Sequence, residues 1–229
     1  GEDSQPISAL LIAASFAKNP TVIHVKNPGE KPWIDLTLNW LNFLKLPYEN
    51  DHYTRYVIPG KGSYQGFDYS VPCDFSSSAY PLIAALLTHS EITLDNIDMD
   101  DVQGDKKIIE LLMQMGAKIE IDREQRKLHV KKGGTLKGRK IDINPFVDAI
   151  TILAVLGCFA EGTTEIYNGA ITRTKECDRI HAMATELKKM GAEIEEKKDG
   201  LITVSYTHLR AHETDSYRVC RLLLEKTTN

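Results

Sequence analysis

Cysteine spacings typical of metal sites are absent from this chain of 229 residues. Its four cysteines are scattered along the sequence as Cys73, Cys158, Cys177 and Cys220. None of them forms a C-x-x-C pair, which argues against a zinc site and a disulfide framework and favours a reducing compartment such as the cytoplasm. His208 and His212 stand four residues apart, but with no third ligand evident they do not indicate zinc either.

Long apolar runs and an excess of positive charge are also missing. No stretch of about 18 residues is free of polar breaks, so we expect no membrane span. No basic segment followed by an apolar core opens the chain, so we expect no signal peptide. The formal net charge is −4, and no basic stripe is interleaved with aromatic residues, which disfavours nucleic-acid binding. The chain begins with Gly1-Glu2-Asp3 and has no initial Met, which favours a piece of a longer protein.

What the chain does contain is a repeat. A polar residue opens an apolar helix of small residues at Ser4, again at Ser76 and again at Asp148, each start 72 residues after the one before. A period of this length indicates repeated supersecondary units rather than short solenoid repeats. Because these helices are apolar on all sides, we expect them to be buried.

Each repeat continues in the same order, with a short strand, an amphipathic helix and two further strands. The second helices of the last two repeats have apolar residues at i, i+3, i+4 and i+7, namely Ile108, Leu111, Leu112 and Met115, then Ile180, Met183, Ala184 and Leu187. A rougher stripe in the first repeat is Leu36, Trp40, Phe43 and Leu44. Gly116 and Gly191 are expected to end the last two helices. The segment 64–71 is expected to form the strand that closes the first repeat.

The segment Thr172-Arg173-Thr174-Lys175-Glu176-Cys177-Asp178-Arg179 carries the clearest chemical signal. Lys175 and Arg179 are four residues apart, which predicts that they share a helix face in the first turn, where both charge repulsion and the helix dipole disfavour two cations. A bound anion would explain this placement. The alternative, which spacing alone favours slightly, is a solvated face neutralised by Glu176 and Asp178.

Two further positions have both a structural and a functional interpretation. Asp148 is expected at the N-cap of a buried helix, which is its better explanation from physics alone, although a carboxylate at a domain junction could also act as a general base. Ser4 and Gln5 are expected to cap the first helix. Alternatively, the Ser4 hydroxyl, the Gln5 amide and helix N–H groups would together hold a phosphate.

Four motifs in order resemble the 5-enolpyruvylshikimate-3-phosphate synthase (3-phosphoshikimate 1-carboxyvinyltransferase) family. They are Asp3-Ser4-Gln5 with the following Ser-Ala-Leu-Leu, the segment 31–37 (Lys-Pro-Trp-Ile-Asp-Leu-Thr), Gln103-Gly104-Asp105, and the segment 174–187. The likeness covers residues 1–203. It implies an α/β (α+β) fold of repeated βαβαββ units, the inside-out barrel of enolpyruvyl transferases, incomplete here.

The resemblance also implies a reaction. The family transfers the enolpyruvyl group of phosphoenolpyruvate to the 5-hydroxyl of shikimate 3-phosphate, in aromatic amino-acid biosynthesis, without metal or organic cofactor. By position, Asp148 resembles the proton acceptor, Lys175 a substrate-binding lysine, Glu176 an acid–base residue and Arg179 an arginine that binds phosphoenolpyruvate.

The same resemblance assigns the shikimate 3-phosphate site to Ser4, Gln5 and Trp33. Three departures affect it, since Asp3 and Glu30 stand where or near where the family has serine, and Trp33 stands where it has tyrosine. The complete protein is expected to be a cytoplasmic monomer with no nucleic-acid or membrane partner.

The domain organisation expected from the sequence has three parts. Residues 1–73 are the last unit of one domain, 74–203 are two units of the other, and 204–229 resemble the translation of a sequencing-library adapter rather than a native tail. The chain alone is expected to be poorly soluble and inactive. Two alternatives stay open here: UDP-N-acetylglucosamine enolpyruvyl transferase, and a non-catalytic α/β binding module.

Overall fold

The computed structural model describes residues 3–205. The tail interpretation for 206–229, with Cys220, His208 and His212, therefore lies outside the described residues. Val204, the first residue of the expected tail, is the last residue of a strand and pairs with Glu193 and Thr163.

The described chain divides into two units. The first comprises the residues up to Pro72 together with Asp100–Gly104, and the second comprises Cys73–Met99 and the residues from Asp105 onward. Each unit has its own hydrophobic cluster: the helix at Ser4 contributes to one, and the helix near Ser76 contributes to the other. The assignment of these units to particular domains of a larger protein stays a prediction.

The first unit contains one repeat in the expected order of elements. Its elements are α1 (Ser4–Ser15), β1 (Thr21–His24), α2 (Lys31–Phe43), β2 (Glu49–Asp51) and β3 (Arg55–Ile58). β3 lies in the middle of the sheet, antiparallel to both β1 and β2. The two helices pack on this sheet through Ile7, Leu11, Ile34, Leu38 and Leu41, which are all buried.

Three expectations for the first unit are wrong. α1 buries only one face, because Leu10 and Ile12 are about half exposed. The buried stripe of α2 is Ile34, Leu38 and Leu41, whereas Phe43 is exposed and Trp40 is half-buried.

The third error concerns the segment 64–71, which forms no strand. β3 already has a partner on each side, so the sheet offers this segment no place beside its central strand. Its aromatic side chains pack on other rings instead: Phe67 and Tyr69 contact Trp40 and Phe43, and Tyr64 contacts Phe16.

The second unit contains two repeats of the same order. The first of these has α3 (Phe75–Leu87), β4 (Ile92–Leu94), α4 (Lys107–Gln114), β5 (Ile119–Asp122) and β6 (Lys127–Val130). The second has β7 (Lys140–Asp142), α5 (Ile150–Phe159), β8 (Thr163–Tyr167), α6 (Arg179–Lys189), β9 (Glu193–Lys197) and β10 (Gly200–Val204). The strand order β4-β6-β5 repeats that of the first unit, and the order β7-β8-β10-β9 repeats it with β7 added beside β8.

The last repeat has the complete βαβαββ pattern. β7 pairs parallel with β8, and α5 connects them. Eight of the ten residues of α5 are buried, which confirms the expectation of a buried first helix here. The amphipathic stripes of α4 and α6 are confirmed as well, and both helices end before a glycine, Gly116 or Gly191, with a positive φ.

Candidate active site

The loop between β8 and α6 carries the anion-binding residues expected from the sequence. A 3₁₀ turn, Ala170–Arg173, follows β8, and α6 begins at Arg179. The Asp178 carboxylate accepts a hydrogen bond of 2.9 Å from the His181 N–H, so it caps the helix. Lys175 therefore lies in the loop before the helix, and the expectation that it shares a helix face with Arg179 is wrong.

Arg179 is held between two carboxylates. Its Nη1 donates to Asp148 Oδ1 across 2.7 Å, and its Nη2 and Nε donate to Glu176 Oε2 across 2.7 and 3.2 Å. The Arg179 side chain is only 16% exposed. Burial alone would lower its pKa, but the hydrogen bonds with Asp148 and Glu176 outweigh burial and raise the pKa. Arg179 is thus a fixed cation in a site that already contains anions.

Asp148 reaches this site from a different element than expected. It lies in the 3₁₀ segment Asn144–Ala149, and α5 begins after it, at Ile150, with no side chain capping the helix. Asp148 is therefore not an N-cap, and the cap interpretation is wrong. Pro145 is the second residue of the 3₁₀ segment, and Phe146 interrupts the segment with non-helical angles, so the chain bends before α5 and carries Asp148 toward α6. Its side chain is 36% exposed.

Glu176 lies on the outer side of the same arginine. Its side chain is 75% exposed, and the hydrogen bond from Arg179 is the main reason why the pKa of Glu176 is lowered. A carboxylate with a lowered pKa is ionised at neutral pH. In this state Glu176 can accept a proton or stabilise positive charge, but it has no proton to donate.

Arg173 organises the base of the loop, a role that was not predicted from the sequence. Its Nη1 donates to Asp178 across 2.7 Å and to Glu196 across 2.9 Å. Its Nε donates to the Lys198 carbonyl across 2.8 Å, and its Nη2 donates to the Lys197 carbonyl. Arg173 thus ties the helix cap Asp178 to the β9–β10 hairpin. Sequence spacing could not reveal this contact, because the partners Glu196 and Lys198 lie more than twenty residues away.

The expected phosphate-binding residues belong to the first unit and are described within it. Asp3, not Ser4, is the N-cap of α1, and its carboxylate accepts from the Gln5 N–H across 2.8 Å. Ser4 is the first helical residue and is 4% exposed. Its N–H and its hydroxyl both donate to Glu30 Oε2, across 3.1 and 3.0 Å. The expectation that Ser4 caps the helix is therefore wrong.

Glu30 and Trp33 come together at the start of α2. The Trp33 N–H donates to the Glu30 carbonyl across 3.0 Å, and the Trp33 side chain is half-buried. Gln5 is exposed. The structure thus brings the Ser4 hydroxyl to a carboxylate at the place where the sequence resemblance expects a phosphate.

Residues 3–205 contain neither a metal-binding cluster nor a membrane-spanning helix. No group of three or more His, Cys, Asp or Glu side chains there is arranged to hold a metal ion. Over the same residues, no helix combines the length and apolar character needed to cross a bilayer.

Comparison with known proteins shows that all of the described residues match one protein family. A model of the family "EPSP synthase (3-phosphoshikimate 1-carboxyvinyltransferase)" matches residues 3–222. The 3-phosphoshikimate 1-carboxyvinyltransferase of Methanocaldococcus jannaschii is 40% identical over 225 residues, which are 98% of this chain and 52% of that protein. The protein of the same name from Chlamydia caviae is 44% identical over 88% of this chain and 45% of its own length.

Solved structures show the same likeness. An EPSP synthase from Acinetobacter baumannii superposes with a TM-score of 0.71 at 27% identity, covering 89% of this chain and 46% of that protein. The enolpyruvyl transferase NikO from Streptomyces tendae superposes with a TM-score of 0.62 at 17% identity, which shows a shared fold. The chain spans about half the length of the curated relatives it matches.

Proposed function

Because the chain belongs to the EPSP synthase family, we propose that it is part of a 3-phosphoshikimate 1-carboxyvinyltransferase. The protein that contains it would transfer the enolpyruvyl group of phosphoenolpyruvate to the 5-hydroxyl of shikimate 3-phosphate and release phosphate. The names of relatives at 40% and 44% identity support this assignment. They also favour it over UDP-N-acetylglucosamine as the acceptor and over a non-catalytic binding module.

The observation that carries the proposal is the position of Arg179 between Asp148 and Glu176. The planar guanidinium group matches carboxylate and phosphate oxygens, and phosphoenolpyruvate has both. An anionic substrate that binds Arg179 competes with Asp148 for the same N–H groups. Binding would therefore release the Asp148 carboxylate from its ion pair at the moment when a base is needed.

The proposed roles follow from this exchange. Asp148 accepts the proton of the attacking hydroxyl as its oxygen bonds to the enol carbon of phosphoenolpyruvate, and the neighbouring methylene carbon takes up a proton from solvent. The resulting methyl group then loses one proton as phosphate leaves the former enol carbon, which restores the double bond. Lys175 and Arg179 bind the phosphoenolpyruvate anion and hold it against the acceptor. Glu176 is the acid–base residue beside them. It is ionised while Arg179 donates to it, so it would accept the proton that the methyl group loses when phosphate leaves.

Residues of the first unit are proposed to bind the acceptor. Ser4, Gln5 and Trp33 would bind shikimate 3-phosphate, as the resemblance implies. A cytoplasmic location also stays a proposal. It is supported by the state of Cys73, Cys158 and Cys177, the three cysteines of the described residues, all of which are free thiols.

A phosphate-release assay tests the proposal on the protein expressed from the longest reading frame that encodes this chain. We expect steady release only when phosphoenolpyruvate and shikimate 3-phosphate are both present. Replacing the acceptor by UDP-N-acetylglucosamine should give none. Release with the nucleotide sugar but not with shikimate 3-phosphate would reject the proposed acceptor. The 229-residue chain alone is expected to be inactive, since it supplies about half the length of its relatives.

A further inference from the structure

The carboxylate of Glu30 occupies the first turn of α1. One of its oxygens, Oε2, accepts hydrogen bonds from both the N–H and the hydroxyl of Ser4, across 3.1 and 3.0 Å. Glu30 is only 6% exposed, and Ser4 is 4% exposed. The contact spans 26 residues of sequence, so it is a tertiary contact between the start of α2 and the start of α1.

The backbone of Glu30 adopts an unusual conformation in this contact. Glu30 stands at the N-cap position of α2 but makes no side-chain cap there, and its φ of 46° and ψ of 42° lie in the left-handed region. A residue other than glycine adopts this region at an energetic cost. Such a conformation persists only where the surrounding structure imposes it. The same conformation leaves the Glu30 side chain directed to the other helix rather than to its own.

A second carboxylate, that of Asp3, also accepts a hydrogen bond at the N-terminus of α1. Asp3 accepts from the Gln5 N–H across 2.8 Å. The N-terminus of a helix attracts anions because its first N–H groups have no partner within the helix and its dipole is positive there. In this chain those N–H groups and the Ser4 hydroxyl already have anionic partners from the protein itself.

We propose that Glu30 is a specificity-determining residue that competes with the phosphate of the acceptor substrate for Ser4. The inference rests on the proposed function, which places shikimate 3-phosphate at Ser4 and Gln5. A phosphate can use the Ser4 N–H and hydroxyl only if the Glu30 carboxylate leaves them, and two anions on one pair of donors repel each other. Glu30 therefore lowers the preference for a phosphorylated acceptor over its unphosphorylated form.

Glu30→Gln isolates the charge. The amide keeps an oxygen that can accept from Ser4, so the buried contact need not be lost, but the negative charge is gone. Glu30→Ser is the second variant, because it removes both the charge and the side chain that covers Ser4. Glu49→Gln is the matched control, since it removes an exposed carboxylate of the same unit from β2.

The test compares two ligands by titration calorimetry on the protein from the longest reading frame. Shikimate 3-phosphate and shikimate differ only in the phosphate, so the ratio of their Kd values isolates the phosphate contact. We expect Glu30→Gln and Glu30→Ser to shift this ratio toward shikimate 3-phosphate by about tenfold, which equals about 1.4 kcal/mol. Glu49→Gln should leave the ratio unchanged. Adding Ser4→Ala to Glu30→Gln should reduce the gain, because the hydroxyl donor is lost while the backbone N–H remains.

Two outcomes would overturn the inference. If the ratio of the two Kd values is unchanged in both Glu30 variants, Glu30 has only a structural role. If the ratio shifts toward shikimate, Glu30 instead supports phosphate binding through another group. Thermal unfolding of each variant shows whether it is folded during the titration. Product formation by the unaltered protein tests the proposed function separately. If the reaction proceeds but the ratio of the Kd values is unchanged in the variants, only the proposed role of Glu30 is rejected.

Discussion

Arg179 and Asp148 form one ion pair, with Nη1 of the arginine 2.7 Å from Oδ1 of the aspartate. The group expected to bind an anionic substrate and the group expected to accept a proton thus neutralise each other when no substrate is bound. The pair joins the 3₁₀ segment before α5 to the first residue of α6. Any change in one partner therefore changes both the charge and the availability of the other.

Asp148→Asn should reduce turnover far more than stability. The amide can still accept from Arg179, but it cannot take up the proton of the hydroxyl, so we expect kcat to fall by about 100-fold or more. Because Asp148 caps no helix and its side chain is 36% exposed, the free energy of unfolding should change by less than about 1 kcal/mol. Steady-state turnover and urea unfolding measure the two effects. Asp95→Asn, which removes a surface carboxylate, should change neither, and unchanged turnover in Asp148→Asn would remove its catalytic role.

Arg179→Lys should weaken the binding of phosphoenolpyruvate while keeping the charge. A lysine has no planar fork, so it cannot present two parallel N–H groups to the carboxylate or phosphate of phosphoenolpyruvate. We expect the KM for phosphoenolpyruvate to rise by about tenfold or more, the loss expected for one charge-assisted hydrogen bond. Arg126→Lys is the control, since Arg126 is an exposed arginine of the same unit paired with Asp98. An equal effect in both variants would contradict a specific role for Arg179.

Arg173→Lys should destabilise the loop that carries Lys175. The arginine makes four hydrogen bonds to Asp178, Glu196 and two carbonyls of the hairpin, and its side chain is 24% exposed. Losing this geometry should reduce the free energy of unfolding by about 1 to 3 kcal/mol, as for hydrogen bonds to charged groups. Urea unfolding measures the loss. A loss no larger than that of Arg126→Lys would show that the loop is held by other contacts.

Acid should destabilise the second unit through Asp178 and Glu196. The pKa of Asp178 is lowered, chiefly by the His181 N–H and then by Arg173, and that of Glu196 is lowered by His181 and Arg173. Because these pKa values are lower in the folded state, the unfolded chain binds more protons as the pH falls. The stabilisation is complete above the ordinary carboxylate pKa values near ~4 and is lost as the pH drops through the lowered ones.

Thermal unfolding between about pH 6 and about pH 2 measures this dependence, since the window must span the ordinary carboxylate pKa values and the lowered ones. Arg173→Gln should weaken this dependence of Tm on pH, because one of the two partners that lower the pKa values of Asp178 and Glu196 is gone. Its Tm will be lower at neutral pH, but it should fall less on acidification. A variant that loses as much Tm as the unaltered protein would show that other carboxylates govern acid unfolding.

The sequence predicted the order of elements in every repeat because that order depends on local periodicity. The stripes at Ile108 and Ile180 and the glycines at the helix ends act within a few residues of each other, and both were confirmed. The residues that form β2 and β3 were not identified, since the strand expected to close the first repeat was placed at 64–71, and the additional strand β7 was not expected. β2, for example, is a three-residue strand of Glu, Asn and Asp without apolar alternation, so only its pairing with β3 makes it a strand.

The details of the site depended on contacts that local patterns do not encode. The same spacing that suggested caps at Ser4 and Asp148 missed Asp3 and the 3₁₀ bend, because each is decided by one residue's backbone angles. The pairing of Glu30 with Ser4 crosses 26 residues. The resemblance had identified Glu30 as a departure, but only the structure shows what its carboxylate touches.

The strand order of the repeats affects whether the sheets of two copies of this protein can pair edge to edge. Because the last strand of each repeat pairs with a strand on both sides, the strands β2, β5 and β9 lie at sheet edges in the part of the chain that is described. Exposed edges can pair with the edges of other molecules and lead to aggregation. Each of these three carries at least two acidic residues: Glu49 and Asp51, Glu120 and Asp122, and Glu193, Glu195 and Glu196. Two molecules that approached along the same edge would bring like charges together, so each sheet discourages its own extension by a second copy.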